Sequence, residues 1–169
     1  MFLRQECLAD QPAVRAVHNA AFGGGAETAE ARLVDDLRAD GDIIAALSIV
    51  AILDGDVAGH VLGSRGAIAG QPSIGLGPLG VLPAYQRLGV GQALMHAVLA
   101  AADALDEPAV ALLGDPAYYS RFGFVAGATL GVLPPVPEWG QHFQVRRLNA
   151  WDDSLRGTFR YARAFDHLL

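Results

Sequence analysis

The sequence predicts a protein of the mixed α/β (α+β) class with a mostly antiparallel sheet, and three observations favour this class. The chain of 169 residues is long enough for one ordinary domain and short for two, so we expect a single domain over residues 1–169. Segments with apolar residues at helical spacing alternate with runs rich in β-branched residues. A strand, a glycine-rich turn, a long helix and another strand then follow one another between residues 73 and 113.

Seven segments carry the composition of β-strands. Asp54-Gly55 separates the second from the third, and this dipeptide is a strong signal of a tight hairpin. Gly70 and Pro72 turn the chain again before the fourth. The predicted strands are residues 2–6, 47–53, 57–69, 73–82, 108–113, 143–148 and 158–161.

Four further segments predict helices. Asp10 is a candidate N-cap for the first, with Pro12 in its first turn. Three glycines at residues 23–25 separate the first helix from the second, and they form either a flexible connector or a mobile loop that contacts a ligand. The predicted helices cover about residues 11–22, 26–39, 91–105 and 116–122.

Composition excludes several classes of function. All 12 basic residues are arginine, so no mechanism that needs a Schiff-base or P-loop lysine can operate, and the net charge of −6 argues against general nucleic-acid binding. No apolar stretch is long enough to span a membrane. Cys7 is the single cysteine and the histidines lack metal-ligand spacing, so we expect no disulfide and no metal site. Together with an N-terminus unlike a signal peptide, these features favour a cytoplasmic protein.

Two glycine clusters are candidate ligand sites. Residues 75–80 satisfy the dinucleotide pattern G-x-G-x-x-G, which would indicate an NAD-dependent oxidoreductase. Its context is poor, because only about two strand residues precede it and no helix begins at Gly80. Residues 86–91 lie between an apolar strand and a long helix, where unpaired N–H groups of the first helical turn can bind an anion such as a diphosphate. A tight strand-to-helix turn without a ligand is the alternative for this second cluster.

The second cluster resembles a known signature. Gln86-x-x-Gly89-x-Gly91 matches the Q/R-x-x-G-x-G/A pattern of the GNAT N-acetyltransferase superfamily, and residues 79–83 resemble the strand end that precedes it there. Tyr119, four residues before Gly123-Phe124, resembles the tyrosine that often closes such domains. Three further runs, residues 30–38, 113–119 and 157–165, resemble a branch of small bacterial predicted acetyltransferases. The resemblance therefore covers nearly the whole chain.

This resemblance implies a fold and acetyl-CoA as co-substrate. In GNAT proteins helices cover both faces of the sheet, and the fourth and fifth strands splay apart around the pantetheine arm. Backbone groups of Leu79, Gly80 and Val81 would then pair with the pantetheine amides, and the N–H of Val81 would stabilise the oxyanion. Arg87 would also add positive charge, unless its side chain is merely solvated. The cofactor loop implied by the resemblance comprises Gln86, Arg87, Leu88, Gly89, Val90, Gly91 and Gln92.

The resemblance also implies direct attack on the thioester by the primary amine of a small-molecule or peptide acceptor. Tyr119 matches the position that often protonates the departing thiolate, with packing of the cofactor wall as the alternative and Tyr118 as a stand-in. The general base stays open, because residues 73–82 contain no carboxylate where many relatives have a glutamate. His60 and Glu30 are the catalytic candidates for it, and Glu27 or a water chain are further alternatives.

Three functions follow from these observations. An acetyl-CoA-dependent N-acetyltransferase is the leading hypothesis, and a non-catalytic acyl-CoA-binding module is the alternative that the missing carboxylate suggests. An NAD-dependent oxidoreductase rests on residues 75–80 alone. The sequence does not identify the acceptor, and exposed edge strands near the C-terminus would permit a homodimer.

Overall fold

Strands and helices follow one another along the chain in the predicted order. The structure is a computed structural model that describes residues 1–168. The strands in this range are β1 (Phe2–Gln5), β2 (Ile43–Leu53), β3 (Asp56–Ile68), β4 (Gln71–Val81), β5 (Ala109–Leu113), β6 (Val125–Ala126), β7 (Val132–Leu133), β8 (Phe143–Arg147) and β9 (Gly157–Arg160). The α-helices are α1 (Gln11–Gly23), α2 (Ala29–Asp40), α3 (Val90–Ala104) and α4 (Pro116–Tyr119).

The sheet is built around the hairpin predicted at Asp54-Gly55. Strands β2 and β3 pair antiparallel on either side of it, with Val50 opposite His60. The strand order is β1-β2-β3-β4-β5-β8-β6, while β9 pairs with both β3 and β7. Neighbours along the main path run antiparallel except β4 and β5, which are parallel. The predicted mixed, mostly antiparallel α/β fold is confirmed.

Helices cover both faces of the sheet, because side chains of a strand alternate between its faces. Ile49 and Ala51 of β2 are buried in the cluster that packs against α3. Val50 and Ile52, between and beside them, are buried in the cluster that includes residues of α1 and α2. The apolar run of β2 is therefore covered on both sides, as a strand without polar alternation predicts.

The fourth and fifth strands splay apart. Strands β4 and β5 pair only at two positions, Ile74 with Val110 and Gly75 with Ala111. Beyond Gly75, β4 continues for six residues beside β3, and no part of β5 pairs with it. The gap that the family resemblance implies is therefore present, and it opens toward the end of β4 that leads to α3.

Element boundaries differ from the predictions by a few residues. Strand β2 begins four residues earlier than predicted, at Ile43, and α3 begins at Val90. The predicted helix over 116–122 divides into α4 and a 3-10 turn at Ser120–Phe122. Strands β6 and β7 were not predicted, because two residues are too few to show an alternating pattern.

Candidate active site

Two cavities meet where β4 and β5 separate. The first, here the loop cavity, measures about 570 Å³ and lies over the turn that leads into α3. The second, here the strand cavity, measures about 290 Å³ and lies between Leu76–Leu79 of β4 and the end of β5. Phe22, Leu79 and Tyr119 line both cavities. One ligand can therefore extend from the turn into the gap between the strands, with its far end at Leu79 and Tyr119.

Strand β4 offers unpaired N–H groups to this gap. The N–H of Leu82 donates to the carbonyl oxygen of Ala58 in the β3 chain segment at 2.9 Å. Because N–H groups of successive strand residues point to opposite edges, those of Val81 and Leu79 point away from β3 and toward the gap. Gly80 lies between them with its N–H turned to β3. The two outward N–H groups are the donors that an extended chain with amide groups would need.

The first turn of α3 is open to an anion. Gly89 is its N-cap, at φ +84°, and no side chain caps the helix. The first hydrogen bond within the helix runs from the Ala93 N–H to the Gly89 carbonyl oxygen at 3.0 Å. The N–H groups of Val90, Gly91 and Gln92 therefore have no hydrogen-bond partner within the helix. The helix dipole adds partial positive charge at this end. The turn predicted to bind a diphosphate therefore has no capping side chain, with Gly89 and Gln92 exposed and Val90 buried.

Two arginines add positive charge to the loop cavity. Arg87, which the sequence analysis includes, lines the cavity together with Arg121, which it misses. Within residues 1–168, neither makes a salt bridge. The guanidinium of Arg121 lies 5.0 Å from the ring centre of Tyr118, a geometry that favours a cation over an aromatic face. An acidic protein thus presents a locally cationic site.

Tyr119 lies at the junction of the cavities. Its ring packs edge-on against Tyr118 and Phe124, with centroid distances of 4.9 and 5.9 Å, and it lies directly over Gly114. A side chain at Gly114 would collide with the ring, so this glycine fixes the position of Tyr119. Burial, with a smaller contribution from Tyr118, raises the pKa of Tyr119 to about 12. The phenol therefore keeps its proton at neutral pH and can act as a donor.

His60, a predicted catalytic residue, belongs to a chain of polar side chains inside the protein. Arg38 binds Glu6 at 2.7 Å, and the hydroxyl of Ser48 donates to the other oxygen of Glu6. Nε2 of His60 lies 3.0 Å from the Ser48 hydroxyl, and Nδ1 of His60 lies 2.9 Å from Nε2 of His18. Both histidines are fully buried. We call Glu6, Ser48, His60 and His18 the buried polar chain.

The direction of hydrogen bonding in the buried polar chain follows from its charges. Burial, with the nearby His60, lowers the pKa of His18 to about 3, and burial lowers the pKa of His60 despite the opposing effect of Glu6. Burial alone raises the pKa of Glu6, but His60, Ser48 and Arg38 outweigh it and the net shift is downward. The carboxylate can only accept, so Ser48 accepts from His60 and His60 accepts from His18. His18 is left with an unprotonated Nδ1.

The unprotonated Nδ1 of His18 lies next to β4. It is buried and has no hydrogen-bond partner among residues 1–168. A Cβ atom at Gly80 would lie 2.8 Å from it, so only glycine at this position lets the imidazole approach the strand. Gly80 is flanked by Leu79 and Val81, whose N–H groups face the gap. His60 and His18 are both fully buried and line neither cavity, and His18 is the member of the chain that approaches Gly80.

Of the two predicted carboxylates, one lies in the site. Glu30, in the first turn of α2, lines the strand cavity. It makes no salt bridge within residues 1–168, whereas Glu27 is bound by Arg15 and Arg32. Among the side chains that line the strand cavity in this range, Glu30 is the one with a charge. Glu30 therefore stays a site candidate, and Glu27 is occupied elsewhere.

Comparison with known proteins identifies the family. The family model of the acetyltransferase (GNAT) domain matches residues 45–126. The uncharacterized N-acetyltransferase YhbS of Escherichia coli K12 is 35% identical over 99% of this chain and 98% of its own length. The chain belongs to the GNAT acetyltransferase family. A second relative in the same organism, the uncharacterized N-acetyltransferase YjhQ, is 32% identical over 90% of this chain and 87% of its own.

Solved GNAT structures support the same assignment. The structure of E. coli YhbS in complex with CoA has a TM-score of 0.88 and 34% identity, and covers 98% of this chain and 91% of that one. A GNAT acetyltransferase from Brucella melitensis, in complex with acetyl-CoA, has a TM-score of 0.79 and 34% identity, with coverages of 98% and 97%. The predicted GNAT resemblance is confirmed over nearly the whole chain.

The dinucleotide interpretation of residues 75–80 is wrong. Gly75, Gly77 and Gly80 all lie inside the single strand β4, whereas the dinucleotide pattern needs a turn between a strand and a helix. Gly75 instead makes room for the ring of Tyr161, and Gly80 for His18. In this GNAT protein the glycines of residues 86–91, in contrast, lie at the turn from strand β4 into helix α3.

Two further features concern metal binding and membrane crossing. Residues 1–168 hold no group of three His, Cys, Asp or Glu side chains placed to bind a metal ion. Among the helices of the same range, none combines the length and the apolar character that crossing a bilayer requires.

Proposed function

We propose that this protein transfers the acetyl group of acetyl-CoA to a primary amine by direct attack on the thioester. The observation that carries the proposal is the continuous path from the open first turn of α3 to the unpaired N–H groups of β4. GNAT relatives that bind CoA and acetyl-CoA, at 34% identity over nearly the whole chain, support the choice of co-substrate.

The cofactor would extend along this path from phosphate to thioester. Its diphosphate would accept hydrogen bonds from the N–H groups of residues 89–92, next to the guanidinium groups of Arg87 and Arg121. The pantetheine arm would lie along β4 and pair with the N–H of Val81. Leu79, which lines both cavities, is then closest to the thioester, so we assign the oxyanion to the N–H of Leu79 rather than to that of Val81.

An ammonium acceptor loses two protons in the reaction, one before it attacks and one as the amide forms, and the departing thiolate takes up one. The neutral amine attacks the thioester carbon, and a C–N bond forms as the C–S bond breaks. Tyr119, which its raised pKa keeps protonated at neutral pH, gives its proton to the departing thiolate, and the second proton from the amine nitrogen restores the phenol. The ammonium form of the acceptor must lose a proton before it attacks, because an alkylamine with a pKa of about 10 is protonated at pH 7.

We propose His18 as the group that takes this proton. Its unprotonated Nδ1 lies beside Gly80, on the sheet face that α1 covers. Because His18 lines neither cavity, the proton would reach it through a water molecule. Burial makes an isolated charge on His18 unfavourable, and the ionised carboxylate of Glu6 would offset that charge through the hydrogen bonds of His60 and Ser48. His60 thus links His18 to Glu6 within the buried polar chain.

His18→Gln is expected to lower kcat by about 10²-fold at pH 7, because general-base catalysis contributes on this scale. The Kd for CoA should stay unchanged, and the deficit should shrink as the pH rises toward the pKa of the amine, because free amine then needs no base. Steady-state kinetics from pH 6.5 to 10 measure this. Glu6→Gln should show the same profile with a smaller deficit.

A matched control variant separates a role of His18 in proton transfer from a role in packing. His96 is an exposed histidine of α3, so His96→Gln should leave the pH profile unchanged. If kcat of the His18 variant is lowered by the same factor at every pH, the histidine has a structural role. Full activity of His18→Gln at pH 7 would remove it from the mechanism.

The second candidate function is a non-catalytic acyl-CoA-binding module, and the absence of a carboxylate from β4 favours it. Thiol release from acetyl-CoA over a panel of primary amines separates the two functions. We expect release that depends on the amine. Acetyl-CoA binding without release from any amine would favour the module, and absence of binding would contradict both.

A further inference from the structure

The strand cavity has a composition that selects among amines. Its walls are mostly apolar or aromatic, and they include Phe22, Leu33, Trp139 and Phe165. At about 290 Å³ it lies at the lower end of the size range of small-molecule pockets, about 300–1,000 Å³. Part of this space belongs to the acetyl group at Leu79. The remaining space suits one ring or a short branched chain.

The charged residues of the strand cavity restrict the charges that an acceptor can carry. No arginine or histidine of residues 1–168 lines it, so a carboxylate or phosphate on the acceptor would enter an apolar space without a partner, at a large desolvation cost. Glu30 supplies a single carboxylate, which matches a single ammonium group. A polyamine would leave its other charges uncompensated among apolar side chains.

Tyr161 provides one further polar group. Its ring lines the strand cavity between Trp139 and Phe165, with centroid distances of 6.1 and 4.5 Å. The hydroxyl is buried and makes no hydrogen bond within residues 1–168, and burial raises its pKa, so that it stays a neutral donor. Buried hydroxyl groups normally have partners. The aromatic wall therefore fits an aryl group.

We propose that the acceptor is an arylalkyl monoamine without a carboxylate or phosphate, with its ring in the strand cavity and its ammonium group at Glu30. This proposal rests on the proposed acetyltransferase function and names the substrate class of the same site. Glu30, predicted as a catalytic residue, then binds the amine before His18 accepts its proton. Acetyl transfer turns the charged amine into a neutral amide, which no longer pairs with Glu30 and leaves the site.

A panel of three amines tests this class. Phenethylamine, phenylalanine and spermidine are compared as acceptors with acetyl-CoA, and phenylalanine differs from phenethylamine only in its carboxylate. We expect kcat/KM for phenethylamine to exceed that for each of the other two by at least about tenfold, a difference of about 1.4 kcal/mol. A preference for spermidine or phenylalanine would overturn the proposal.

A pair of variants tests the role of Glu30. Glu30→Gln should raise KM for phenethylamine by about tenfold with little change in kcat, because the lost interaction is with the bound ammonium. Glu27→Gln, which changes a carboxylate outside both cavities, should leave both constants unchanged. An unchanged KM in Glu30→Gln would overturn the proposal. If no amine releases CoA although acetyl-CoA binds, the acetyltransferase function fails, whereas turnover with a different amine class overturns only this inference.

Discussion

Tyr119→Phe is expected to lower kcat by about 10²- to 10⁴-fold at pH 7 with the CoA affinity nearly unchanged. The substitution removes one hydroxyl and keeps the ring that packs over Gly114 and against Tyr118 and Phe124. The cofactor wall therefore stays in place, while the thiolate leaves without a proton donor. Steady-state kinetics together with calorimetric titration of CoA separate the two effects.

The adjacent tyrosine is the matched control. Tyr118 lies over the first turn of α3, where a Cβ atom at Gly91 would come within 2.9 Å of its hydroxyl, and it lines only the loop cavity. We expect Tyr118→Phe to change the CoA affinity modestly and kcat little. Equal kcat values for Tyr119→Phe and the wild type would limit Tyr119 to a packing role.

Gly89→Glu is expected to weaken CoA binding by at least about 100-fold, which corresponds to the loss of about two charge-assisted hydrogen bonds. Gly89 is at φ +84°, and a Cβ atom there would meet no protein atom within 4 Å. The carboxylate would therefore extend into open space at the helix end, where it would repel the diphosphate and occupy the N–H donors itself. Titration calorimetry measures the affinity.

A variant of a second glycine, Gly70, serves as the matched control for the position of the new charge. Gly70, between β3 and β4, has the same φ of +84° and equally open surroundings, but it lies at the opposite end of β4 from α3. Gly70→Glu therefore introduces the same backbone strain and the same charge away from the cofactor loop. We expect it to bind CoA like the wild type, with a comparable loss of thermal stability in both variants. Equal affinities of the two variants would place the diphosphate elsewhere.

The cofactor half of the site was predictable because its chemistry depends on backbone. Glycines at 89 and 91 and a hairpin at Asp54-Gly55 leave signals in consecutive residues, since each requires a particular backbone conformation or close approach. The same holds for the order of the strands, which alternation and turn residues indicate. The family motif then adds the splay of β4 and β5, which no local pattern predicts.

The half of the candidate site to which we assign proton transfer was only partly predictable, because its members are distant in sequence. The buried polar chain combines Glu6, His18, Ser48 and His60 from four separate segments, and none of them lies in a motif. The sequence shows His60 as an isolated strand histidine and contains no signal that pairs it with His18. The one local signal was Gly80, whose missing side chain makes room for that imidazole.

Arg121 and Trp139 are two cavity-lining residues whose positions the sequence also does not predict. Arg121 lies inside the Tyr119–Phe124 run that supports the family resemblance, but its orientation toward the loop cavity depends on how α4 packs beside α3. Trp139 reaches the strand cavity from a 3-10 turn between β7 and β8, far from β4 in sequence. Such positions depend on tertiary packing, which the local sequence around these side chains does not indicate.

The most direct test of the account compares CoA with pantetheine as ligands of the wild-type protein. Both carry the arm that would lie along Leu79 and Val81, but only CoA carries the diphosphate that the N–H groups of residues 89–92 would bind. We expect calorimetry to show that each chain binds one CoA, with an affinity at least about 100-fold higher than its affinity for pantetheine. This difference corresponds to about two charge-assisted hydrogen bonds. Equal binding of the two ligands, or no binding of CoA at millimolar concentration, would contradict the assignment of the helix end as the anchor of the cofactor.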